Sequence, residues 1–187
     1  MPQMPNTTTT VPTQQRFALL GATGNTGRLI LKRLLQTTTL GLEINIYVCF
    51  RSKLEGLFPS FSSDARVTIF KGTLKDETLI RNCLAAATTI ICTVGENENI
   101  PDVTVLRDCT GHIIDALSAL RASTPTPTEW TPPRLLLLSS ATWNPRFDWP
   151  ALLYWMIGNT IARLYSDLVQ AQQILLDIPE LVNLLLV

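Results

Sequence analysis

The chain is poor in the residues that several common kinds of site require. Its 187 residues include a single histidine, His112, and four cysteines without a Cys-x-x-Cys pair, so we expect reduced thiols and no zinc site. Fifteen basic residues balance fifteen acidic ones, which gives no support to a nucleic-acid partner or to a polybasic membrane patch. No apolar run reaches the roughly 18 residues that a membrane-spanning helix needs. We therefore expect a neutral protein that uses neither metal, nucleic acid nor membrane.

What the chain does have is an apolar fraction of 46%, which is enough for the core of one domain. Residues 1–15 are rich in threonine and proline and lack an apolar core, so they are predicted to form a disordered arm. This composition fits neither a secretory signal nor an arginine-rich transit peptide, and a cytoplasmic location is expected. Residues 16–187 are predicted to form one domain.

A glycine-rich turn joins the first predicted strand to the first predicted helix. Residues 17–20 are apolar, and residues 28–35 alternate basic and apolar side chains with helical spacing. Between them, Gly21 is expected to make the tight turn, Gly24 to let the main chain approach a diphosphate, and Gly27 to let helix and strand pack closely. This order of elements predicts a dinucleotide-binding turn.

The same turn supplies the groups that would hold the anion. Free backbone N–H groups near Asn25 and Thr26, at the start of the helix, are expected to face the phosphates together with Thr23. A glycine turn before a helix can also be purely structural, and that alternative stays open.

The second predicted strand, residues 43–50, is followed by three residues that bear on the choice of coenzyme. An acidic residue here would accept a hydrogen bond from the adenosine ribose, whereas basic residues would meet a 2′-phosphate. The chain has Arg51, Ser52 and Lys53 instead of an acid. The sequence thus favours NADP (NADPH) over NAD, with an ordinary solvated basic loop as the alternative.

The rest of the chain repeats strand and helix. Further strands are predicted at 65–70, 88–94, 134–142 and 181–187, with helices at 77–85 and 101–121. The main chain near Leu74 is expected to meet the adenine, and Val94 and Gly95 to pass under the coenzyme. The predicted fold is α/β, a Rossmann-type doubly wound parallel sheet with right-handed crossovers.

Four segments together carry a resemblance to a known family. They are Gly21-Ala22-Thr23-Gly24-Asn25-Thr26-Gly27, Arg51, Leu138-Ser139-Ser140-Ala141 and Leu164-Tyr165-Ser166-Asp167-Leu168. From about residue 16 to the end, the chain resembles the averufin oxidase A-like group of fungal NmrA-type reductases, an atypical branch of the short-chain dehydrogenase/reductase superfamily. The resemblance implies NAD(P) binding, oxidoreductase activity in secondary-metabolite biosynthesis, and a small aromatic or quinone-like substrate.

The resemblance also implies two catalytic residues. In the superfamily a serine after the fifth strand holds the substrate carbonyl, which matches Ser139 or Ser140, and a tyrosine assisted by a lysine four residues later transfers the proton. Tyr165 is the best match for the tyrosine, but Val169 stands where the lysine would be. An unassisted phenol can still donate a proton, so reduction is easier to support than oxidation. The alternative is that the ring of Tyr165 only packs at the edge of a helix and that Ser139 only caps a turn.

Two later features leave the function open. Residues 143–157 are rich in aromatic side chains, which could stack on a flat substrate or simply cover the sheet. The family continues beyond the sixth strand into a segment that builds the substrate pocket, whereas this sequence stops at Val187. We therefore expect dinucleotide binding with an incomplete substrate site, unless a partner chain or a lost segment completes it. The leading interpretation is an NADP-dependent oxidoreductase; the alternatives are a non-catalytic NADP-sensing module and a truncated, inactive product.

Overall fold

The computed structural model describes residues 14–59, 63–96, 98, 101–126, 129–138, 155 and 162–187. In chain order, its strands and helices are β1 (Gln15–Leu20), α1 (Asn25–Gln36), β2 (Leu42–Val48), α2 (Arg51–Leu57), β3 (Val67–Lys71), α3 (Glu77–Leu84), β4 (Thr89–Cys92), α4 (Val105–Ala122), β5 (Arg134–Leu137), α5 (Ala162–Leu176) and β6 (Asn183–Leu186).

The six strands form one parallel sheet in the order β3-β2-β1-β4-β5-β6. The chain therefore builds outward from β1 in one direction, returns to β4, and builds outward in the other direction. This is the doubly wound Rossmann arrangement, and it confirms the predicted fold class. In such sheets ligands bind beyond the carboxyl ends of the strands where the order reverses, here between β1 and β4.

Two apolar layers cover the sheet, one on each face. Successive residues of a strand point to opposite faces, so Leu19 packs with α1 and α2 while Leu20 packs with α3 and α4. The first layer is centred on Leu31, Ile44 and Leu54, all fully buried. Because both faces are covered, the strands carry near-continuous apolar runs, which is why they could be recognised in the sequence.

The structure corrects several predicted element boundaries. Gln15 pairs with Leu42 as the first residue of β1, so the arm predicted over residues 1–15 is one residue too long. The helix predicted from residue 101 begins at Val105, because Asp102 has a φ of 56°, in the left-handed region that a right-handed helix excludes. Residues 139–142 of the predicted fifth strand and residues 1–13 of the arm lie outside the described residues.

A polar tie explains why β3 begins later than predicted. Arg66 donates from Nη2 to Asp64 Oδ2 at 2.7 Å and to the carbonyl oxygen of Leu35 at 2.9 Å, near the end of α1. The hydrogen bonds from Arg66 lower the pKa of the Asp64 carboxyl. Residues 64–66 therefore form a turn that anchors the end of α1, and the strand starts at Val67.

In the described part of the chain, none of the helices combines the length and the apolar composition that crossing a membrane requires.

Candidate functional site

A crevice runs along the carboxyl ends of the central strands, where the sheet order reverses. It has two halves, which share Gly24 and residues 93–96. The β2-side half has a volume of about 520 Å³ and extends past Tyr47 and Lys53. The α5-side half has a volume of about 370 Å³ and extends past Leu138 and Tyr165. The crevice therefore has an elongated shape, with the glycine turn at its centre.

Glycine is required at two positions of this turn. Gly21 has a φ of +87°, and a Cβ there would lie 2.8 Å from the main-chain carbonyl carbon of Thr93. A Cβ at Gly27 would overlap the carbonyl oxygen of Gly21 and lie 2.7 Å from Thr93 Oγ1. These contacts bring the first turn of α1 directly against the ends of β1 and β4.

The N-terminus of α1 is open toward the crevice. Its N-cap is Gly24, which has no side chain to accept from the first amides, and its first turn contains no acidic residue. Asn25 and Thr26 line the α5-side half. The first backbone N–H groups of a helix lack intrahelical acceptors and carry partial positive charge. This end of α1 is therefore suited to an anion, and the binding of a diphosphate there stays a prediction.

The β2-side half contains only part of the predicted basic group. Within the described residues its walls include Lys53 but neither Arg51 nor Ser52. The three residues open α2 instead of forming a loop, and Arg51 donates from Nε to Glu55 Oε1 at 2.7 Å on the exposed side of that helix. The alternative of a basic loop is therefore wrong about the secondary structure, and the interpretation of these residues as a 2′-phosphate site stays a prediction.

The far wall of the β2-side half is formed by β2 and the turn after β3. Tyr47 is buried, and its hydroxyl donates to the carbonyl oxygen of Thr73 at 2.6 Å. Burial and the nearby Asp76 carboxylate raise the pKa of Tyr47 to about 12, so the phenol remains a neutral donor. Asp76 in turn accepts from the backbone N–H of Thr73 at 2.6 Å. The neighbouring Leu74 lines the crevice, and a contact of the main chain near it with adenine stays a prediction.

The α5-side half is mainly apolar. Tyr165 lines it, and α5 also contributes Asp167. Val169 follows Tyr165 by four residues on the same helix, so the tyrosine has no lysine in that place. Ser139 and Ser140 lie outside the described residues. Four leucines complete the wall of this half: Leu106, Leu138, Leu164 and Leu168.

Comparison with known proteins identifies this architecture. Residues 21–124 match the model of the family described as NAD(P)H-binding. The chain belongs to the NAD(P)H-binding family. The matched region includes the glycine turn, α1, both crevice-lining segments of β2 and β4, and α4.

The relatives of this NAD(P)H-binding chain include named fungal oxidoreductases. Oxidoreductase nsrR of Aspergillus novofumigatus is 35% identical over 161 residues, which cover 85% of this chain and 59% of the relative. Oxidoreductase aflX of Aspergillus parasiticus is 34% identical over 163 residues, which cover 86% of this chain and 59% of the relative. The chain thus spans about three fifths of the length of these curated relatives.

Solved structures show the same fold at low identity. A short-chain dehydrogenase/reductase from Veillonella parvula, in complex with NADP, superposes with a TM-score of 0.63 at 21% identity, covering 92% of this chain and 66% of that one. The NADPH-dependent quinone oxidoreductase QOR2 of Escherichia coli, complexed with NADPH, superposes with a TM-score of 0.57 at 16% identity. The superposition covers 91% of this chain and 47% of that one.

Several crevice residues were missed in the sequence. Thr93 donates from its hydroxyl to the carbonyl oxygen of Leu20 at 3.1 Å and thereby ties β4 to β1 at the crevice floor. Its position directly after β4, like that of Glu96 shortly beyond it, could have been predicted from the rule that strand ends face the ligand. Asp167 could not, because its role depends on a contact with α4, 61 residues away along the chain.

The four cysteines are all free, and they differ in accessibility. Cys92 and Cys109 are buried with their sulfur atoms 4.0 Å apart, between β4 and α4. The hydrogen bond with Cys92 and burial raise the pKa of the Cys109 thiol, and burial raises that of Cys83 to about 12. Cys49 is exposed and lines the β2-side half. No three of the His, Cys, Asp and Glu side chains in the described ranges come together as a metal site requires.

The close packing of Gly27 predicts a stability loss on adding one methyl group. Gly27→Ala should lower the free energy of unfolding by about 1–3 kcal/mol, because the new Cβ overlaps the Gly21 carbonyl oxygen. The matched control is Gly111→Ala in α4, where a Cβ meets nothing within 4 Å and should stabilise by about 0.5–1 kcal/mol. Denaturant unfolding of both variants measures this. Equal stability of Gly27→Ala and the wild type would contradict the packing.

Cysteine accessibility gives a second prediction. Iodoacetamide should label Cys49 in the native protein while the three buried thiols stay unmodified, and saturating NADPH should slow the labelling of Cys49 because this residue lines the crevice. Mass spectrometry of the labelled protein counts and locates the modified thiols. The control is Cys49→Ser, which should take up no label. Fast native labelling of a second cysteine, or labelling of Cys49 unaffected by NADPH, is the contrary result.

Proposed function

We propose that this chain is the coenzyme-binding domain of an NADP-dependent oxidoreductase that reduces a small aromatic ketone or quinone in a fungal secondary-metabolite pathway. The observation that carries the proposal is the open N-terminus of α1 at the centre of an elongated crevice. Oxidoreductase names among the relatives and the resemblance to averufin oxidase A-like reductases support the reaction class.

The proposed coenzyme seat follows from the arrangement of donors. The backbone amides of Asn25 and Thr26 receive the diphosphate, with Thr23 beside them and Gly24 allowing the close approach. The adenosine lies in the β2-side half, between the main chain near Leu74 and the ring of Phe50, which is 71% exposed there.

The preference for NADP rests on the basic residues after β2. The ammonium of Lys53, on the wall of the β2-side half, meets the 2′-phosphate. Arg51 and the Ser52 hydroxyl lie one turn or less away on α2. The ion pair of Arg51 with Glu55 is half exposed and therefore weak, so the guanidinium is free to exchange its partner for a phosphate.

The α5-side half is proposed to hold the reacting groups. Val94 and Gly95 pass beneath the nicotinamide, and the leucine wall suits a flat apolar substrate. A bound nicotinamide supplies hydride. The Tyr165 hydroxyl donates to the substrate carbonyl oxygen, and Ser139 also holds that oxygen, as the family resemblance implies. With Val169 in place of a lysine, Tyr165 acts as a donor and not as a base, which favours reduction.

Coenzyme preference tests the proposed seat. Isothermal titration should show tighter binding of NADPH than of NADH, and Lys53→Met should weaken NADPH about tenfold, or ~1.4 kcal/mol, with NADH unchanged. Lys32→Met is the matched control, because it removes the same charge from an exposed position of α1 that does not line the crevice. Tighter binding of NADH than of NADPH by the wild type, or an equal loss of affinity for both coenzymes in Lys53→Met, would refute the proposed coenzyme-binding site.

Turnover tests the reaction. Mixing the protein with NADPH and a panel of quinones and aromatic ketones should give substrate-dependent loss of absorbance at the nicotinamide band, with a lower kcat in Tyr165→Phe because the proton donor is removed. Unchanged kcat in that variant excludes Tyr165 as the donor.

A second candidate function is a non-catalytic NADP-sensing module. The observation that favours it is Val169, which stands four residues after Tyr165 where the superfamily has a lysine. Tight NADPH binding without turnover of any carbonyl substrate supports this function over the first.

A further inference from the structure

Asp167 connects two helices at the wall of the crevice. This residue of α5 is 4% exposed, and both of its carboxylate oxygens accept hydrogen bonds from the main chain of α4. The N–H of Leu106 donates to Oδ2 and the N–H of Arg107 donates to Oδ1, each at 2.9 Å. These amides belong to the second and third residues of α4. The carboxylate therefore caps α4 from a different helix.

The local sequence of α4 does not provide this cap. Thr104 occupies the N-cap position, but its hydroxyl donates to Asp108 Oδ2 at 2.7 Å and makes no capping bond. The first amides of a helix need acceptors, and an anion there also gains from the helix dipole. Asp167 meets both needs, and the two amides in turn compensate the cost of burying its charge.

The cap holds together two parts of one wall. Leu106, whose N–H bonds Asp167, lines the α5-side half of the crevice, and so do Leu164, Tyr165 and Leu168 on the helix that carries the carboxylate. A second tie between the helices, from Arg107 Nη1 to Gln170 Oε1 at 3.2 Å, lies on the exposed side. The distance across the wall therefore depends on Asp167 at the crevice.

The same contact makes the two helix N-termini at the crevice different in their capacity to bind an anion. Both α1 and α4 begin at the crevice, but the second and third amides of α4 are occupied by Asp167, whereas no side chain caps the first amides of α1. A diphosphate therefore has its seat at α1, and the α4 end presents the leucine side chain of Leu106 to the α5-side half instead of a positive charge.

We propose that Asp167 is a positioning residue that fixes α5 against the start of α4 and thereby sets the fit of the nicotinamide ring in the α5-side half. This inference rests on the proposed binding of NADP in the crevice. It predicts that Asp167 affects binding of the nicotinamide ring but not of the rest of the coenzyme, which lies against β1, α1 and β2.

The test compares two ligands by isothermal titration: NADPH, and 2′-phospho-ADP-ribose, which has every part of the coenzyme except the nicotinamide ring. Asp167→Asn keeps the size of the side chain but turns an NH₂ group toward one of the two donors. We expect it to weaken NADPH about tenfold and to leave the affinity for 2′-phospho-ADP-ribose within about twofold of the wild type.

Two variants serve as controls. Asp108→Asn makes the same change of charge in the first turn of α4, at an exposed carboxylate bonded to Thr104 and Arg107. Gln170→Ala removes the exposed tie between the two helices. Neither residue lines the described crevice, and both variants should bind the two ligands as the wild type does.

The outcomes separate the inference from the proposed function. If Asp167→Asn lowers the affinity for both ligands equally, or for neither, the positioning role is wrong while coenzyme binding stands. A wild type that binds neither ligand overturns the proposed function and the inference with it. Should Asp167→Asn fail to fold, Asp167→Glu keeps the charge but lengthens the side chain by one methylene, and the same selective loss of NADPH affinity is expected.

Discussion

The contact between the first turn of α1 and the end of β1 is the constraint on which the rest of the structure depends. Only a residue without a side chain fits at Gly27, since any Cβ there would overlap the Gly21 carbonyl oxygen. This close approach places the uncapped amides of α1 directly over the point where the sheet order reverses. Both halves of the crevice meet there, so the position of one glycine decides where an anion can bind.

The two helices that begin at the crevice show how one physical effect is used in opposite ways. Unpaired amides at the start of a helix attract negative charge, whether from a ligand or from the protein. Gly24 leaves those of α1 free, and Asp167 occupies those of α4. The chain thereby obtains one polar anion seat and one apolar wall from the same kind of element, which matches a ligand with a charged centre and a flat reacting end.

The fold could be predicted from the sequence because its signals are local. The apolar runs of the buried strands, the glycine turn and the helical spacing after it are each contained in a few residues, and the order of the elements follows from them. Two local patterns do not determine the backbone: the basic run Arg51 to Lys53, for which a solvated loop was the alternative to a phosphate site, opens a helix, and the helix predicted from residue 101 starts later because Asp102 adopts a left-handed φ.

Part of the site could not be predicted, for a related reason. The roles of Tyr47 and Asp167 depend on partners 26 and 61 residues away in the sequence, which no local pattern encodes. The glycine turn and Lys53 could be located in advance because the fold family relates them to strand ends. Asp167 belongs to the Leu164–Leu168 motif, but its capping role depends on the packing of α4 against α5.

The central claim is that the open amides of α1 bind the diphosphate of a nicotinamide coenzyme. The most direct measurement is a crystal structure of the protein grown with NADPH. The account predicts diphosphate oxygens about 3 Å from the backbone nitrogens of Asn25 and Thr26. A diphosphate bound elsewhere, or a crevice that excludes NADPH at saturating concentration, would contradict it.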